Sequence, residues 1–342
     1  MPTRTPVVVL GATGMVGQRI ISLLQAHESL VVTAVAASAR SAGRPYDQAT
    51  TWRLPGEVPD EVAAMPVLPC TPDAMPPGTR VALSALDGAV AGPIEAAFRA
   101  AGFAVVSNAS AWRMDPTVPL VVPEVNPEHL ALLDRQPGPG FILANPNCCA
   151  IPLALALAPL HRRWTVQAVT VSTWQAVSGA GYPGESAWDM VGTVHPHPGQ
   201  EEQKLAEEPA KMLGTVDGPA TFPVSARCVR VPVADGHLLA VHAKLRGAPS
   251  VDDVRACLRD WQGFGPPLPS CPRPPLVLTN RRDRPSPRLD ADTGGGMQAV
   301  VGRIEECPVL GIKLYVLAHN TIRGAAGAAI ANVELLQAVG RI

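Results

Sequence analysis

The residues best suited to covalent chemistry lie in two short segments, Asn145-Pro-Asn-Cys148 and Gln175-Ala-Val-Ser-Gly-Ala-Gly181, with Cys148 and Gln175 27 positions apart. Cys148 stands just ahead of Ala150-Ile-Pro-Leu-Ala-Leu-Ala-Leu-Ala-Pro159, which reads as the start of an apolar helix. A thiol there faces unpaired backbone N–H groups and the positive end of the helix dipole, and both favour the thiolate. The second segment is a polar, glycine-rich turn that lets a backbone and an amide side chain approach the same space. Together they point to an enzyme that works through a thioester. The plainer alternative is a cysteine that only fills the start of a buried helix.

Three further clusters carry charge. Glu201-Glu-Gln-Lys204 sets a carboxylate and an ammonium three apart on one helix face, which is also how a solvated, salt-bridged helix looks. Cys228-Val-Arg-Val-Pro-Val-Ala-Asp-Gly-His237 holds Arg230 and His237 seven apart around a proline and a Gly-His turn. Arginine suits bidentate carboxylate binding, and histidine is the usual proton shuttle near neutral pH. Ser107-Asn-Ala-Ser-Ala-Trp-Arg113 adds a third cation after a strand end. His195-Pro-His197 has no further ligand at metal spacing, so it is expected to be a loop and no metal is expected.

The elements that must position these groups begin with Val7-Val-Val-Leu10, Gly11-Ala-Thr-Gly-Met-Val-Gly17 and the helically spaced Val16, Ile20, Ile21, Leu23 and Leu24: strand, glycine turn, helix. Glycines 11, 14 and 17 permit a tight turn, backbone approach to a pyrophosphate at the helix N-terminus, and close helix–strand packing. The spacing is G-x-x-G-x-x-G rather than the usual G-x-G-x-x-G, so another kind of βα turn stays open. After the next strand, Val31–Ala36, an NAD site would place an acid. This chain has none between Glu28 and Asp47 and offers Ser38, Arg40 and Ser41, which suit a 2′-phosphate and favour NADP. Strands at 80–86, 103–110 and 140–144 follow, with a helix at 89–101, so that Ser84, Asn108 and Cys148 are expected at one crevice.

Beyond residue 148 the alternating runs 165–175, 237–245 and 310–318 predict strands, and 200–213 and 251–264 predict helices. The expected fold is α/β: an N-terminal Rossmann-type domain over 1–147, then an α+β catalytic and dimerisation domain with a largely antiparallel sheet over 148–322. The small-residue helix within 323–342 is expected to return to the first domain. Proline-rich stretches at 52–77 and 262–275 read as surface loops.

Composition fits two globular domains: 342 residues, 47% hydrophobic and 17% charged. A net charge of −1 gives no basic field for nucleic acid or an anionic membrane. No apolar run approaches the ~18 residues of a membrane span, and the run after Met1–Pro6 is too short for a signal peptide. Seven irregularly spaced cysteines without a Cys-x-x-Cys pair imply free thiols in the cytoplasm rather than disulfides or zinc.

Taken together, the segments 11–19, 38–43, 107–115, 118–126, 145–148, 175–184, 201–204, 230–237 and 319–336 resemble the aspartate-β-semialdehyde dehydrogenase family, in its archaeal and fungal form. The resemblance implies NADPH-dependent reductive dephosphorylation of L-aspartyl-4-phosphate, a small acyl-phosphate substrate, in lysine, threonine and methionine biosynthesis, by a homodimer or homotetramer. It implies Cys148 as nucleophile, His237 as general acid/base and Gln175 as the residue that orients substrate and acyl group. Arg230 and Glu201 would grip the α-carboxylate and α-amino groups, and Arg113, Asn147 and Lys204 the phosphate. For the cofactor it implies Gly11, Thr13, Gly14, Met15, Val16, Ser38, Arg40, Ser41, Ser84, Ala85, Leu86, Ser178, Gly179 and Asn320. Two features depart from the family pattern: Cys149 doubles the thiol, and 189–200 replaces a stretch that more often carries an asparagine and an apolar run. Related thioester chemistry on malonyl-CoA or N-acetylglutamyl phosphate, and a catalytically silent assembly subunit, are the alternatives. Arg230 with Glu201 favours an amino-acid substrate, and the presence of Cys148 with His237 favours an enzyme.

Overall fold

The computed structural model describes residues 4–196 and 199–342, and among them no helix is long and apolar enough to cross a membrane. The chain divides into two units. The first runs through Pro119 and includes Leu130–Asn145 and Val339–Ile342; the second comprises Leu120–His129 and Pro146–Ala338.

In the first unit the elements are β1 (Thr5–Leu10), α1 (Met15–Leu24), β2 (Leu30–Ala37), α2 (Tyr46–Ala49), α3 (Asp60–Ala63) and β3 (Val67–Pro69). There follow β4 (Val81–Ser84), α4 (Gly88–Ala100), β5 (Ala104–Ser107) and β6 (Phe141–Ala144). All six strands pair in parallel in the order β3-β2-β1-β4-β5-β6, the doubly wound order whose direction reverses beside β1. The strands are short apolar runs with buried interiors, as a covered parallel sheet requires. Register aligns Leu10 with Ser84, Ser84 with Ser107 and Ser107 with Ala144, so the loops after four strands leave from one edge. Gly11 turns there with φ +74, and a Cβ on it would lie 2.5 Å from the Ala85 carbonyl oxygen, so only glycine fits. The stretch 52–77, expected as loop, contributes α3 and the edge strand β3.

In the second unit the elements are α5 (Ala150–Trp164), β7 (Val166–Gln175), α6 (Ala187–Met190), α7 (Glu201–Leu213), β8 (Val224–Arg230) and β9 (His237–Leu245). Then come α8 (Val251–Asp260), β10 (Leu276–Thr279), α9 (Pro287–Asp290), β11 (Ala299–Cys307), β12 (Gly311–Ala318) and α10 (Gly327–Ala338). The sheet order is β10-β11-β12-β9-β7-β8. Three of its pairings, β11–β12, β12–β9 and β9–β7, are antiparallel as expected, and β7–β8 and β10–β11 pair in parallel, so the sheet is mixed. Alternation reports a half-buried strand but not its direction, and the helical crossover through α7 sets β8 beside β7 in the same sense. Helix α5 lies against β7, β9, β11 and β12, α7 against β8, and α8 against β10 and β11. Along β7, Val169, Val171, Thr173 and Gln175 are buried while Thr170, Ser172 and Trp174 stay exposed.

The C-terminal helix corrects an expectation. A π turn over Ile322–Ala326 leads into α10, which belongs to the second unit, and only Val339–Ile342 joins the first. The small, apolar residues of α10 did predict close packing, and the helix is buried on all sides through Leu336. They could not say against what: Asn332 donates to the Val121 carbonyl at 3.1 Å, and Glu334 accepts from the Ser270 hydroxyl at 2.9 Å. Leu120–His129 also leaves the expected 1–147 domain, held by a fully buried Arg323–Glu124 ion pair of 2.8 Å between residues 199 apart in sequence. Replacing Arg323 by Met should strand the Glu124 charge and cost about 3–5 kcal/mol, read from the urea midpoint, and adding Glu124→Leu should restore much of it. An unchanged midpoint for Arg323→Met would mean that the pair does not anchor this segment.

Candidate active site

Cys148 lies in the loop just before α5, and its neighbour Cys149 is the helix N-cap. The Asn147 side chain shapes this start: its Oδ1 accepts from the N–H groups of Cys149 at 2.9 Å and Ala150 at 3.3 Å. Its Nδ2 donates to Glu201 at 2.9 Å, and its backbone N–H donates to Glu208 at 2.6 Å. The two thiols differ. Cys148 is partly exposed and Cys149 fully buried. The Cys148 thiol is held well below the usual thiol range, first by a hydrogen bond from the Cys149 thiol, against the effect of burial, and then by His237 beside it. Burial, first of all, pushes the Cys149 thiol up. Cys148 is thus the more acidic of the two thiols.

His237 begins β9 and is fully buried. Its Nδ1 accepts from the Ala176 N–H at 3.0 Å, so the ring proton sits on Nε2. The sulfurs of Cys148 and Cys149 and a ring nitrogen of His237 all lie within 4.8 Å of one another. This trio has the donor types of a metal site, which sequence spacing did not suggest.

Gln175 and Arg230 end β7 and β8 as a direct register pair. Arg230 Nη1 donates to Gln175 Oε1 and to the Ala176 carbonyl, both at 3.1 Å, and its Nε donates to Glu185 at 3.3 Å. Glu201, in the first turn of α7, accepts from Lys204 at 2.7 Å through Oε1 and from Asn147 and Gln175 at 2.9 and 3.4 Å through Oε2. Burial opposes its charge, but the Lys204 cation and the hydrogen bonds of Lys204 and Asn147 hold its carboxyl below the usual range. Gly179 faces this group: a Cβ there would stand 2.9 Å from Arg230 Nη1 and from His237 Nε2. Asn320 accepts from the Gly236 N–H and donates to Ser178, each at 2.8 Å, so it fixes the turn entering His237.

The expected residues thus fall into two groups. Cys148, His237, Gln175, Asn147, Glu201, Lys204, Arg230, Ser178, Gly179 and Asn320 belong to the second unit. Gly11, Thr13, Gly14, Met15, Val16, Ser38, Arg40, Ser41, Ser84, Ala85, Leu86 and Arg113 belong to the first. There Gly14 is exposed and caps α1 without a side chain, leaving first-turn N–H groups open to an anion. Ser38 and Arg40 are exposed at the end of β2 with no carboxylate in that turn, so the residues fit a 2′-phosphorylated dinucleotide. Arg113 donates to the Asn108 carbonyl at 2.7 Å. The Ser84 side chain does not reach a crevice: it is fully buried beside Glu95, because strand alternation turns it inward, so only its backbone is available.

Four groups escaped the sequence reading. Glu208 stands seven residues after Glu201 on the same helix, a spacing that could have revealed it. Glu185, the Ala176 N–H and Gly324, where a Cβ would lie 2.7 Å from the Cys148 Cβ, gave no local signal. His197 lies outside the described residues, while the Nδ1 of His195 meets Glu185 at 3.2 Å.

A two-domain fold with a cysteine–histidine centre on the second sheet defines a class of oxidoreductases, and the chain belongs to the semialdehyde dehydrogenase family. The family's NAD binding domain matches residues 6–133 and its dimerisation domain residues 157–323. The aspartate-semialdehyde dehydrogenase of Methanothermobacter thermautotrophicus is 44% identical, over 97% of this chain and 98% of its own. The crystal structure of aspartate semialdehyde dehydrogenase with NADP from Candida albicans matches with a TM-score of 0.91 and 40% identity, over 99% of this chain and 100% of that one. Aspartate semialdehyde dehydrogenase II from Vibrio cholerae, complexed with ASA, matches at 0.79 and 28% identity, over 98% and 99%.

Because the Cys148 pKa is lowered, iodoacetamide should alkylate Cys148 rapidly at pH values below the ordinary thiol pKa of about 8.5, slowing only as acid protonates the thiolate. His237→Ala should move that inflection upward, and peptide mass mapping should find the adduct on Cys148. Label on Cys149, or an inflection at the ordinary thiol value, would overturn the assignment.

Proposed function

We propose that this chain catalyses the reversible NADPH-dependent reductive dephosphorylation of L-aspartyl-4-phosphate to L-aspartate 4-semialdehyde, a step in amino-acid biosynthesis. The observation that carries this reading is the Cys148–His237 centre at a sheet end that also presents Arg230, Gln175 and Glu201. The names of the relatives point to the same substrate.

In this reading the Cys148 thiolate attacks the acyl carbon, the bond to the phosphate oxygen breaks, and a thioester and inorganic phosphate result. Arg113, Asn147 and Lys204 are the proposed phosphate partners; for Asn147 this adds to its work at the helix start. Gly11–Val16, Ser38, Arg40, Ser41 and the Ala85–Leu86 backbone would hold NADPH, which supplies the hydride. Ser178, Gly179 and Asn320 are proposed on its nicotinamide side. His237 hydrogen-bonds through its Nε2–H to the oxyanion that hydride addition creates. That oxyanion reforms the carbonyl as the C–S bond breaks and the thiolate returns, and a positioned acid/base group of this kind contributes about 100- to 10,000-fold. Arg230 meets the α-carboxylate and Glu201 the α-ammonium, and Gln175 orients the acyl group between them. No metal enters this scheme.

The test is oxidation of aspartate semialdehyde in the presence of phosphate. NADPH should form only when phosphate is present, NADP should outperform NAD, and Arg40→Ala should hurt NADP far more than NAD. Glu201→Gln should cost roughly 10- to 150-fold in kcat/KM on this aldehyde and little on one lacking the amino group. An equal loss on both would shift the reading to a malonyl-type substrate.

The second unit matches a dimerisation domain, so this chain assembles, and we propose a homodimer or a pair of them. Helices cover one face of its sheet, while Trp174, Leu238 and Tyr315 line a shallow cavity of about 280 Å³ on the other. Such a face is normally buried against another layer. The reading places the protein in the cytoplasm, consistent with seven free thiols. Sedimentation should give at least twice the 35.7 kDa chain mass, and a Trp174→Glu, Tyr315→Glu double variant should shift it toward monomer. A monomeric parent at micromolar concentration would rule the dimer out.

A further inference from the structure

Arg230 is the group that the proposed function assigns to the substrate's α-carboxylate, yet it already holds a carboxylate of its own chain. Its guanidinium is half committed: Nη1 donates inward to Gln175 Oε1 and the Ala176 carbonyl. The edge left for an incoming carboxylate is the one formed by Nε and Nη2. Glu185 Oε1 sits on that edge, 3.3 Å from Nε. A second contact fixes Glu185, whose Oε2 lies 3.2 Å from Nδ1 of His195. His195 is itself locked to Arg230 by paired backbone hydrogen bonds of 2.9 and 2.8 Å. The three side chains therefore form one assembly: Arg230 is almost wholly buried and Glu185 reaches solvent with about a fifth of its side-chain surface (22%).

Carboxylate recognition by arginine is strongest when two parallel N–H groups meet the two oxygens. An α-carboxylate can gain both donors of this edge only if Glu185 gives up Nε, and two carboxylates sharing one guanidinium repel each other. Glu185 need not enter water unpartnered when it leaves, because His195 still faces its other oxygen. We propose that Glu185 is a built-in occupant of the carboxylate-reading edge of Arg230, and that its displacement by the substrate sets how tightly this site holds its amino-acid substrate. The inference rests on reading Arg230 as the carboxylate-binding residue. A site whose competent form is only a fraction of the population binds with an affinity reduced by that fraction. Removing the occupant should therefore tighten binding without touching the reacting groups, which lie on Cys148 and His237.

The experiment is steady-state oxidation of aspartate semialdehyde by the full-length parent, Glu185→Gln, which keeps the shape and removes the charge, and Glu185→Ala, which removes both. Thermal melts confirm that both variants are folded. The expected result is a KM for the aldehyde lowered by about 3- to 10-fold in both variants, with kcat within about twofold and the KM for NADP unchanged. An unchanged KM would make Glu185 a bystander, and a raised KM would make it a residue that orients Arg230; either overturns the proposal. A parent enzyme that does not turn over aspartate semialdehyde would instead sink the functional reading, so the two failures are distinguishable.

Discussion

Strand register is the constraint on which the catalytic half of the molecule depends. Gln175 pairs with Arg230 across β7 and β8, Trp174 with Leu238 across β7 and β9, and Ala318 with His237 across β12 and β9. Residues paired in this way point to the same side of the sheet, and a slip of one position would turn each of them to the other side. The ends of two parallel strands and the start of an antiparallel one thus bring an amide, a guanidinium and an imidazole together on the face that α5 covers. The same helix delivers Cys148 at its N-terminus. Segments up to 89 positions apart in the chain become neighbours through backbone hydrogen bonds that are indifferent to the chemistry they serve.

Buried charge is the second organising feature, and it is costly unless every group is matched. Isolated ions taken from water lose several kcal/mol each, so a stable site must return that loss through short contacts. Glu201 is answered by a cation and two amides, and Arg230 by an amide, a carbonyl and a carboxylate. Asn147 connects this network to the helix that carries the nucleophile. Its carbonyl oxygen caps the N–H groups of Cys149 and Ala150 while its amide reaches Glu201. A change in the carboxylate is felt at the helix start, and so at the thiolate. The Arg323–Glu124 pair uses the same rule for architecture, tying a distant segment to the turn whose Gly324 lies against Cys148.

Much of this was legible in order along the chain. The glycine turn at 11–17, the missing acid after β2 and the apolar helix after Cys148 are local patterns, and local patterns report local structure. Elements were found where periodicity was strong: β7, β9 and α7 fall within a residue or two of expectation. What failed was direction and partner. Alternation could not show that β8 runs parallel to β7, small residues could not show that α10 belongs to the second unit, and strand-end placement could not show that the Ser84 hydroxyl turns away. Each of these depends on what lies across from the residue rather than beside it in the chain.

The sequence by itself determined the kinds of groups available, a thiol at a helix start, a cation in place of an acid, an imidazole after a glycine, because residue type and short spacing fix intrinsic reactivity and local geometry. The tertiary structure set two adjacent cysteines in different surroundings: Cys148 is partly exposed in the loop before α5, and Cys149 is fully buried at its N-cap. It also decided that the imidazole proton sits on Nε2, because a backbone N–H from another strand end occupies Nδ1. And it placed Glu185 on Arg230 across 45 residues, a contact that no spacing rule encodes, because the loop that makes it folds against a sheet end assembled from distant strands.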